Sequence, residues 1–153
     1  MLIGEFKVTL DGKGRICLPA ALRKELNEEN LYLTKGEDDC LWLYPSAKFD
    51  RLVNDNLHAV TDPFSKTDRR ALRQHIGSAQ QVEIDNAGRI PIAQSLREFA
   101  SLSKDCMVLG QIDYIEIWDM GCFNDYFNKD NKDKFESAAE EISRRIKRKR
   151  GIE

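Results

Sequence analysis

The chain has few histidines and cysteines, two of the residue types that most often act as nucleophiles, bases or metal ligands. Its 153 residues include two histidines and four cysteines without a C-x-x-C pair, at His58, His75, Cys17, Cys40, Cys106 and Cys122. Neither histidine has a partner at the spacing of a zinc site, so we expect no bound metal. Cys17 and Cys40 stand in apolar, strand-like surroundings, which predicts buried reduced thiols.

Signatures of cofactor binding are missing as well. Gly12, Lys13 and Gly14 form too short a glycine-rich stretch for a phosphate loop or a dinucleotide-binding turn. Asp11 heads the same stretch, but the later acidic ligands of a calcium loop do not follow. No pairing of a nucleophile with a base stands out. The sequence therefore predicts a protein without a cofactor or small-molecule substrate, and not an enzyme.

Long apolar runs are absent too. No segment approaches the roughly 20 apolar residues that span a bilayer, and none reads as a signal peptide. We therefore expect a cytoplasmic protein that has no membrane partner. The hydrophobic content of 41% is enough for a chain of this length to bury a core.

Positive charge is scarce outside the C-terminal end. The chain carries 24 Lys and Arg against 26 Asp and Glu, a net charge of −2. Residues 143–153 hold six of the cations and one acid, which leaves 18 cations against 25 acids in residues 1–142. An acidic body argues against indiscriminate nucleic-acid binding through a broad basic face. It leaves room for a few well-placed cations, multiplied by assembly.

The most informative feature that is present is a motif that occurs twice, as D-G-K-G-R-I from Asp11 and as D-N-A-G-R-I from Asp85. Over sixteen aligned positions, six are identical at a constant offset of 74 residues (85 − 11). The identical pairs are Asp11/Asp85, Gly14/Gly88, Arg15/Arg89, Ile16/Ile90, Leu22/Leu96 and Arg23/Arg97. Such an echo indicates that one structural unit has been duplicated.

Each copy predicts the same elements. A segment with alternating apolar residues (Phe6, Val8 and Leu10 in the first copy) leads into the turn, and a second short strand leaves it. A short helix, a hairpin and another helix follow, so the order is β-β-α-β-β-α, twice. We assign residues 4–56 and 78–130 to the two repeats, residues 57–77 to a helical connecting segment, and residues 131–153 to a charged tail.

The motif suits a rigid turn that presents a cation. Asp11 and Asp85 can accept hydrogen bonds from backbone N–H groups further on, and a glycine can take a positive φ. The arginine that follows is suited to phosphate or to guanine edges. Residues alone leave another interpretation open, in which the Asp and Arg side chains pair with each other or with a neighbouring subunit.

Two further basic segments can each be interpreted in two ways. Arg69 and Arg73 share a helical face, where they either contact phosphates or, as we favour, form salt bridges within or between subunits. In the tail, a helix with Ile142 and Ile146 on one side ends in the basic run of residues 144–150. That run either touches DNA or, as we favour, is a frayed and solvated terminus.

The repeated residues resemble the MraZ family, bacterial regulators built from two AbrB-type swapped-hairpin units. The mark of that family is D-x-x-x-R in each repeat, met here by Asp11 with Arg15 and by Asp85 with Arg89. Further segments that match the family are G-E-F at residues 4–6, C-L-W-L-Y-P at 40–45, D-R-R at 68–70 and E-I-W-D at 116–119. The resemblance implies an α+β fold of two tandem swapped-hairpin β-barrel repeats, an intramolecular pseudo-dimer with short helices.

The resemblance also implies a function. Family members bind double-stranded DNA at promoter repeats, usually repress their own division and cell-wall gene cluster, and assemble into rings, so a homo-oligomer at the nucleoid is expected. DNA contact would pass to Arg15 and Arg89, assisted by Lys13. Asp11, Gly14, Asp85 and Gly88 would shape the turns without touching DNA. The alternative is a protein–protein assembly module whose Asp/Arg turns form subunit interfaces.

Overall fold

The computed structural model describes residues 1–26, 30–128 and 132–151 of the chain. These ranges form a mixed α+β structure of antiparallel strands and short helices, as the sequence predicts. They divide into two compact units, Met1–Met120 and Gly121–Glu153. The repeat boundaries at 4–56, 57–77, 78–130 and 131–153 stay a prediction, and their ends at 130, 131 and 153 lie outside the described residues.

The order β-β-α-β-β-α is confirmed in the first half of the chain. Its elements are β1 Glu5–Thr9, β2 Arg15–Cys17, α1 Ala20–Leu26, β3 Asn30–Lys35, β4 Leu41–Pro45 and α2 Ser46–Arg51. A π-helical stretch Leu52–Leu57 follows α2. The residues predicted as the connecting segment, 57–77, contain the end of that stretch, α3 His58–Val60, α4 Lys66–Leu72 and a second π-helical stretch Arg73–Gly77.

The same order returns in the second half. Its elements are β5 Gln80–Glu83, β6 Arg89–Pro91, α5 Gln94–Phe99, β7 Asp105–Gly110, β8 Ile115–Asp119 and α6 Met120–Tyr126. The strand pairs β2/β6 and β4/β8 have bounds that differ by 74 residues at both ends, the same offset as the sequence identities. The duplicated motif therefore belongs to a duplicated set of strands.

The strands of the two halves are interleaved. In the described part of the chain, one sheet has the order β1-β7-β8-β4-β3-β5, and a separate two-stranded ribbon joins β2 to β6. β1 pairs with β7 of the other half, with Phe6 opposite Val108. β5 pairs with β3 of the first half, with Val82 opposite Leu31. Each half therefore supplies a strand to the hairpin of the other.

The core of the Met1–Met120 unit is built from equivalent residues of both halves. Ile16 and Ile90 of the ribbon are fully buried, as are many strand side chains of the large sheet. Leu22 and Leu96 face the same core from α1 and α5. Burying a side chain of this size stabilises a fold by about 1.5–3 kcal/mol. Ile16 and Ile90 therefore anchor the ribbon to the core, while Arg15 and Arg89, which alternate with them along the two strands, face outward.

The connecting segment is held on the first hairpin by its polar groups. Thr34 Oγ1 donates to the carbonyl of His75 at 2.5 Å, and Gln74 Nε2 donates to that of Gly36 at 2.6 Å. The imidazole of His75 lies 2.9 Å from the Lys35 carbonyl through Nδ1 and stacks on Trp42 with ring centroids 5.1 Å apart. His75 is therefore part of the packing of this segment.

The Gly121–Glu153 unit contains the long helix α7 Lys132–Lys149. Ile142 and Ile146 lie on this helix, as predicted, and both are exposed. The basic run is exposed, as predicted for a solvated terminus, but it is not frayed, because the helix continues through it as far as Lys149. Arg145 Nη2 lies 2.5 Å from Glu141 Oε1 one turn earlier, a pairing that supports the helix at this point.

Candidate nucleic-acid interface

The first turn, residues 11–15, is closed by the Asp11 side chain. Its Oδ1 accepts hydrogen bonds from the backbone N–H groups of Lys13 and Arg15, both at 2.9 Å. The Gly14 N–H donates to the Asp11 carbonyl at 3.1 Å. Gly14 has φ +74°, the left-handed region that favours glycine. The turn-shaping role predicted for Asp11 and Gly14 thus has a geometric basis.

The second turn, residues 85–89, has the same geometry. Asp85 Oδ1 accepts from the N–H groups of Ala87 and Arg89, both at 2.9 Å. The Gly88 N–H donates to the Asp85 carbonyl at 2.9 Å, and Gly88 has φ +82°. Replacement of the lysine by Ala87 leaves the backbone unchanged, because the turn uses only the N–H of that residue.

Each carboxylate also orients the arginine of its own turn. Arg15 Nε lies 3.0 Å from Asp11 Oδ2, and Arg89 Nε lies 3.3 Å from Asp85 Oδ2. A longer contact of 4.0 Å joins Arg15 Nη1 to Asp85 Oδ2, so the two turns form one network of charges. The Asp–Arg pairing that residues alone left open is therefore present within one chain.

The backbone bonds also set the charge of the two carboxylates. The N–H of Arg15 is the largest influence that lowers the pKa of Asp11 below its ordinary value of 3.8, with the Lys13 N–H and the Arg15 guanidinium adding to it. The N–H of Arg89 lowers the pKa of Asp85 in the same way. Both aspartates are therefore ionised at neutral pH, and each neutralises one arginine.

Both arginines point from the same face of the β2–β6 ribbon. Arg15 lies opposite Pro91 and Arg89 lies opposite Cys17, while the paired Ile16 and Ile90 lie between them. Residues that face each other across an antiparallel pair share one side of the sheet. We call this outward side, with Arg15, Cys17, Arg89 and Pro91, the turn face.

The prediction that Cys17 is a buried thiol was wrong. Cys17 is exposed, because alternation along β2 turns Ile16 inward and Cys17 outward. Cys40 is buried as predicted, and burial is the main cause that raises the pKa of its thiol. Burial likewise raises the pKa of the Cys106 thiol to about 11. These two thiols stay protonated at neutral pH.

Three further cations lie close to the turns without an ion pair to a carboxylate in the described residues. Lys13 is exposed beside the first turn, and among the described residues no carboxylate lies within 4.0 Å of its amine. The same holds for Arg23 on α1 and Arg97 on α5, the last of the six identical pairs. Asp11 and Asp85 balance Arg15 and Arg89, so Lys13, Arg23 and Arg97 add positive charge beside the turns.

Arg23 and Arg97 are site residues for which the sequence suggested no role. The guanidinium of Arg97 lies over Gly14, and that of Arg23 lies over Gly88, so each reaches the turn of the other half. The sequence does single them out, because Arg23 and Arg97 form one of the six identical pairs between the two copies. What the sequence could not supply was their partner, since the contact crosses between the halves.

The arginines of the connecting segment take another arrangement. Arg69 Nη1 donates to the Pro63 carbonyl at 3.0 Å. In residues 1–26, 30–128 and 132–151, no salt bridge involves Arg69, Arg70 or Arg73. The salt bridges favoured for them are therefore not found within the described chain, and contacts between subunits stay a prediction.

Over the same ranges the structure has neither a metal-binding cluster nor a membrane-spanning helix. No group of three or more His, Cys, Asp or Glu side chains in the described residues is arranged to hold a metal ion. No described helix combines the length and the apolarity that crossing a bilayer requires.

Comparison with known proteins identifies the family. The family model of the MraZ protein, described as antitoxin-like, matches residues 1–74 and 76–146. The chain belongs to the MraZ family. The duplicated match agrees with the duplicated strands, and the expectation drawn from the D-x-x-x-R motifs is confirmed.

Several MraZ relatives are similar over most of their length. A protein of Treponema denticola named "Transcriptional regulator MraZ" is 40% identical over 141 residues, which cover 92% of this chain and 96% of the relative. Proteins of the same name from two strains of Treponema pallidum are each 41% identical over 130 residues, covering 85% of this chain and 87% of theirs. The two stretches matched by the family model, 1–74 and 76–146, include both turns.

Proposed function

We propose that this MraZ-family chain is a sequence-specific DNA-binding transcriptional regulator. The observation that carries the proposal is the turn face, where two rigid turns present Arg15 and Arg89 side by side from one ribbon. The relatives named as transcriptional regulators support it. A non-catalytic role agrees with this arrangement, since both aspartates are engaged in holding their turns.

In this proposal Arg15 and Arg89 contact phosphates or guanine edges, and Lys13 adds a phosphate contact beside the first turn. Each aspartate holds its arginine through Nε, and the one contact of a terminal guanidinium nitrogen with a carboxylate in this network is the longer one of 4.0 Å between Arg15 Nη1 and Asp85 Oδ2. The terminal guanidinium nitrogens provide the paired N–H donors that suit phosphate and guanine. Asp11 and Asp85 shape and orient the turns and do not touch DNA.

The same proposal extends to assembly and regulation. The interleaved strands support two swapped-hairpin repeats that form a barrel-like pseudo-dimer within one chain. A homo-oligomeric ring would place many turn faces along repeated promoter boxes, so that weak contacts add through effective concentration. Bound to DNA at the nucleoid, in the cytoplasm, the ring would repress the division and cell-wall gene cluster of which its own gene is part.

The alternative function is a protein–protein assembly module whose Asp/Arg turns form subunit interfaces. The observation that favours it is the neutrality of the network formed by Asp11, Arg15, Asp85 and Arg89. A neutral set of ion pairs suits a protein interface as well as it suits a nucleic acid. The two functions differ in their response to salt.

The experiment measures binding of the full chain to a DNA fragment from upstream of its own gene over a range of salt concentrations. Three phosphate contacts per subunit predict a slope of about −2.7 in log affinity against log salt for each engaged subunit. A fragment of the same length and base composition in shuffled order is the control and should bind more weakly. A flat salt response, with equal affinity for both fragments, would support the assembly module.

A further inference from the structure

Each turn is covered by an arginine from the opposite half of the chain. The Arg97 guanidinium lies so close to Gly14 that a β-carbon there would overlap it. Arg23 lies over Gly88 in the same way. Both glycines therefore serve two purposes, because they supply the positive φ and they make room for a planar cation. The identity of Gly14 with Gly88 and of Arg23 with Arg97 is explained by one reciprocal contact.

Hydrogen bonds close this contact on each side. The Leu18 N–H donates to the Gly88 carbonyl at 2.8 Å, and the Leu18 carbonyl accepts from Arg23 Nη1 at 2.5 Å. Arg23 thus connects its own helix, the end of β2 and the second turn in a single closed set of contacts.

The other side repeats these bonds. The Ile92 N–H donates to the Gly14 carbonyl at 2.9 Å, and the Ile92 carbonyl accepts from Arg97 Nη1. Arg97 therefore connects α5 and the end of β6 to the first turn. The two sets are equivalent at the offset of 74 residues, with the halves exchanged.

Neither arginine has an ion pair with a carboxylate in the described ranges, so carbonyl bonds and packing hold them. A guanidinium is planar and has donors in a fixed fork, whereas a lysine amine is a compact point charge on a flexible stem. Lysine would keep the charge at this position but would not reproduce the flat contact over the glycine.

We propose that Arg23 and Arg97 are cross-repeat positioning residues, each of which fixes the turn of the opposite half. Arg97 sets the direction of Arg15, and Arg23 sets the direction of Arg89. This inference depends on the proposed DNA-contact role of Arg15 and Arg89. As a consequence, the two turns form one binding element, in which each half of the chain supplies the arginine that positions the turn of the other half.

Double-mutant cycles on DNA affinity test the crossing directly. In the Arg15→Ala background, Arg97→Ala should cause little further loss, because the residue that it positions is gone. In the Arg89→Ala background the same substitution should still lower affinity by about tenfold. Arg23→Ala should show the reverse pattern. Losses that multiply in both backgrounds would overturn the proposal and indicate direct contact instead.

Lysine variants distinguish the proposed positioning role of these arginines from a simple contribution of positive charge. Arg97→Lys should lose nearly as much affinity as Arg97→Ala while keeping the same salt slope as the unmodified chain. Restoration of affinity by lysine would overturn the proposal, because charge alone would then explain the effect of Arg97.

Backbone amide exchange without DNA gives an independent test. In Arg97→Ala, exchange at Lys13, Gly14 and Arg15 should become faster by on the order of tenfold, with the second turn unaffected. Arg23→Ala should loosen the second turn only, and the lysine variants serve if an alanine variant does not fold. Loosening of the turn in the same half, or of both turns equally, would overturn the proposal. The crossed pattern in a chain that does not bind DNA would support the positioning and defeat the DNA-contact function alone.

Discussion

The two turns share a backbone and differ in their charge. Both have an aspartate that accepts two N–H groups and a glycine with positive φ. The first turn has Lys13, and its arginine reaches both aspartates; the second has Ala87, and its arginine reaches one. Arg89 is also the more exposed of the two, at 38% against 27%. The two turns therefore share the hydrogen bonds that shape the backbone. They differ at the position of Lys13 and Ala87, where the side chain adds charge without shaping the turn.

The largest effect is expected from adding a methyl group at the turn glycines. Gly14→Ala should destabilise the fold by about 1–3 kcal/mol, since alanine is strained at this φ and its β-carbon would displace Arg97. Gly88→Ala should cost a similar amount, because its φ and its arginine cover are equivalent. Chemical unfolding measures both variants.

A matched control lies two residues away. Gly12 does not have a positive φ, and a β-carbon there would meet open space, so Gly12→Ala should leave stability nearly unchanged. Clearly unequal losses for the variants at Gly14 and Gly88 would show that the two turns are not equivalent in backbone terms.

The next effect concerns the shared carboxylate. Asp85→Asn removes a charge near both Arg15 and Arg89, whereas Asp11→Asn affects Arg15 alone. We expect the ratio of specific to nonspecific DNA affinity to fall several-fold for Asp85→Asn and less for Asp11→Asn, as the arginines lose their direction. Competition binding with shuffled DNA measures the ratio. Equal ratios for the two variants would mean that the contact of 4.0 Å between the turns has no role.

A smaller effect should follow from the lysine that only one turn has. Lys13→Ala should weaken binding a few-fold and make the salt slope shallower by about 1 per engaged subunit. Ala87→Lys should strengthen binding and steepen the slope by a similar amount, because the backbone of both turns accepts either residue. If Ala87→Lys has no effect on the slope, the second turn does not approach phosphates.

The smallest effect is expected from acid. Backbone N–H groups hold the pKa values of Asp11 and Asp85 below 3.8, so ionisation stabilises the turns above that pH. The stabilisation is lost as the pH falls through the lowered values. Both carboxylates are partly exposed, and the amide shifts of Arg15 and Arg89 report the change without loss of the fold. Midpoints at or above 3.8 would contradict the bonding of both turns.

Much of this architecture could be predicted from sequence, because the signals are local. The period-2 pattern around Val8, the D-x-x-G-R turn and the leucines at Leu22 and Leu96 lie within short windows, and the structure contains the predicted elements. Because the second copy follows the first at a constant offset of 74 residues, the same order of elements could be predicted for the second half. Cys17 was misjudged, although the inward Ile16 beside it already implied an outward thiol.

The contacts between the halves could not be predicted in this way. The sequence shows that Gly14 and Arg97 each belong to an identical pair, but nothing in it says which half provides the partner. That choice follows from the interleaved strands, which bring the end of β6 beside the first turn. A hypothesis based on one repeat alone therefore finds the arginines proposed to contact DNA and misses the arginines proposed to position them.

The central claim is that the turn face binds DNA through its arginines, and removal of Arg15 tests it most directly. Arg15→Ala should weaken binding to the upstream fragment by at least about tenfold, with the size of the oligomer in solution unchanged. Arg51→Ala, an exposed arginine on α2, is the control and should bind as the unmodified chain does. Unaltered DNA binding by Arg15→Ala, or loss of the assembled state, would contradict the account.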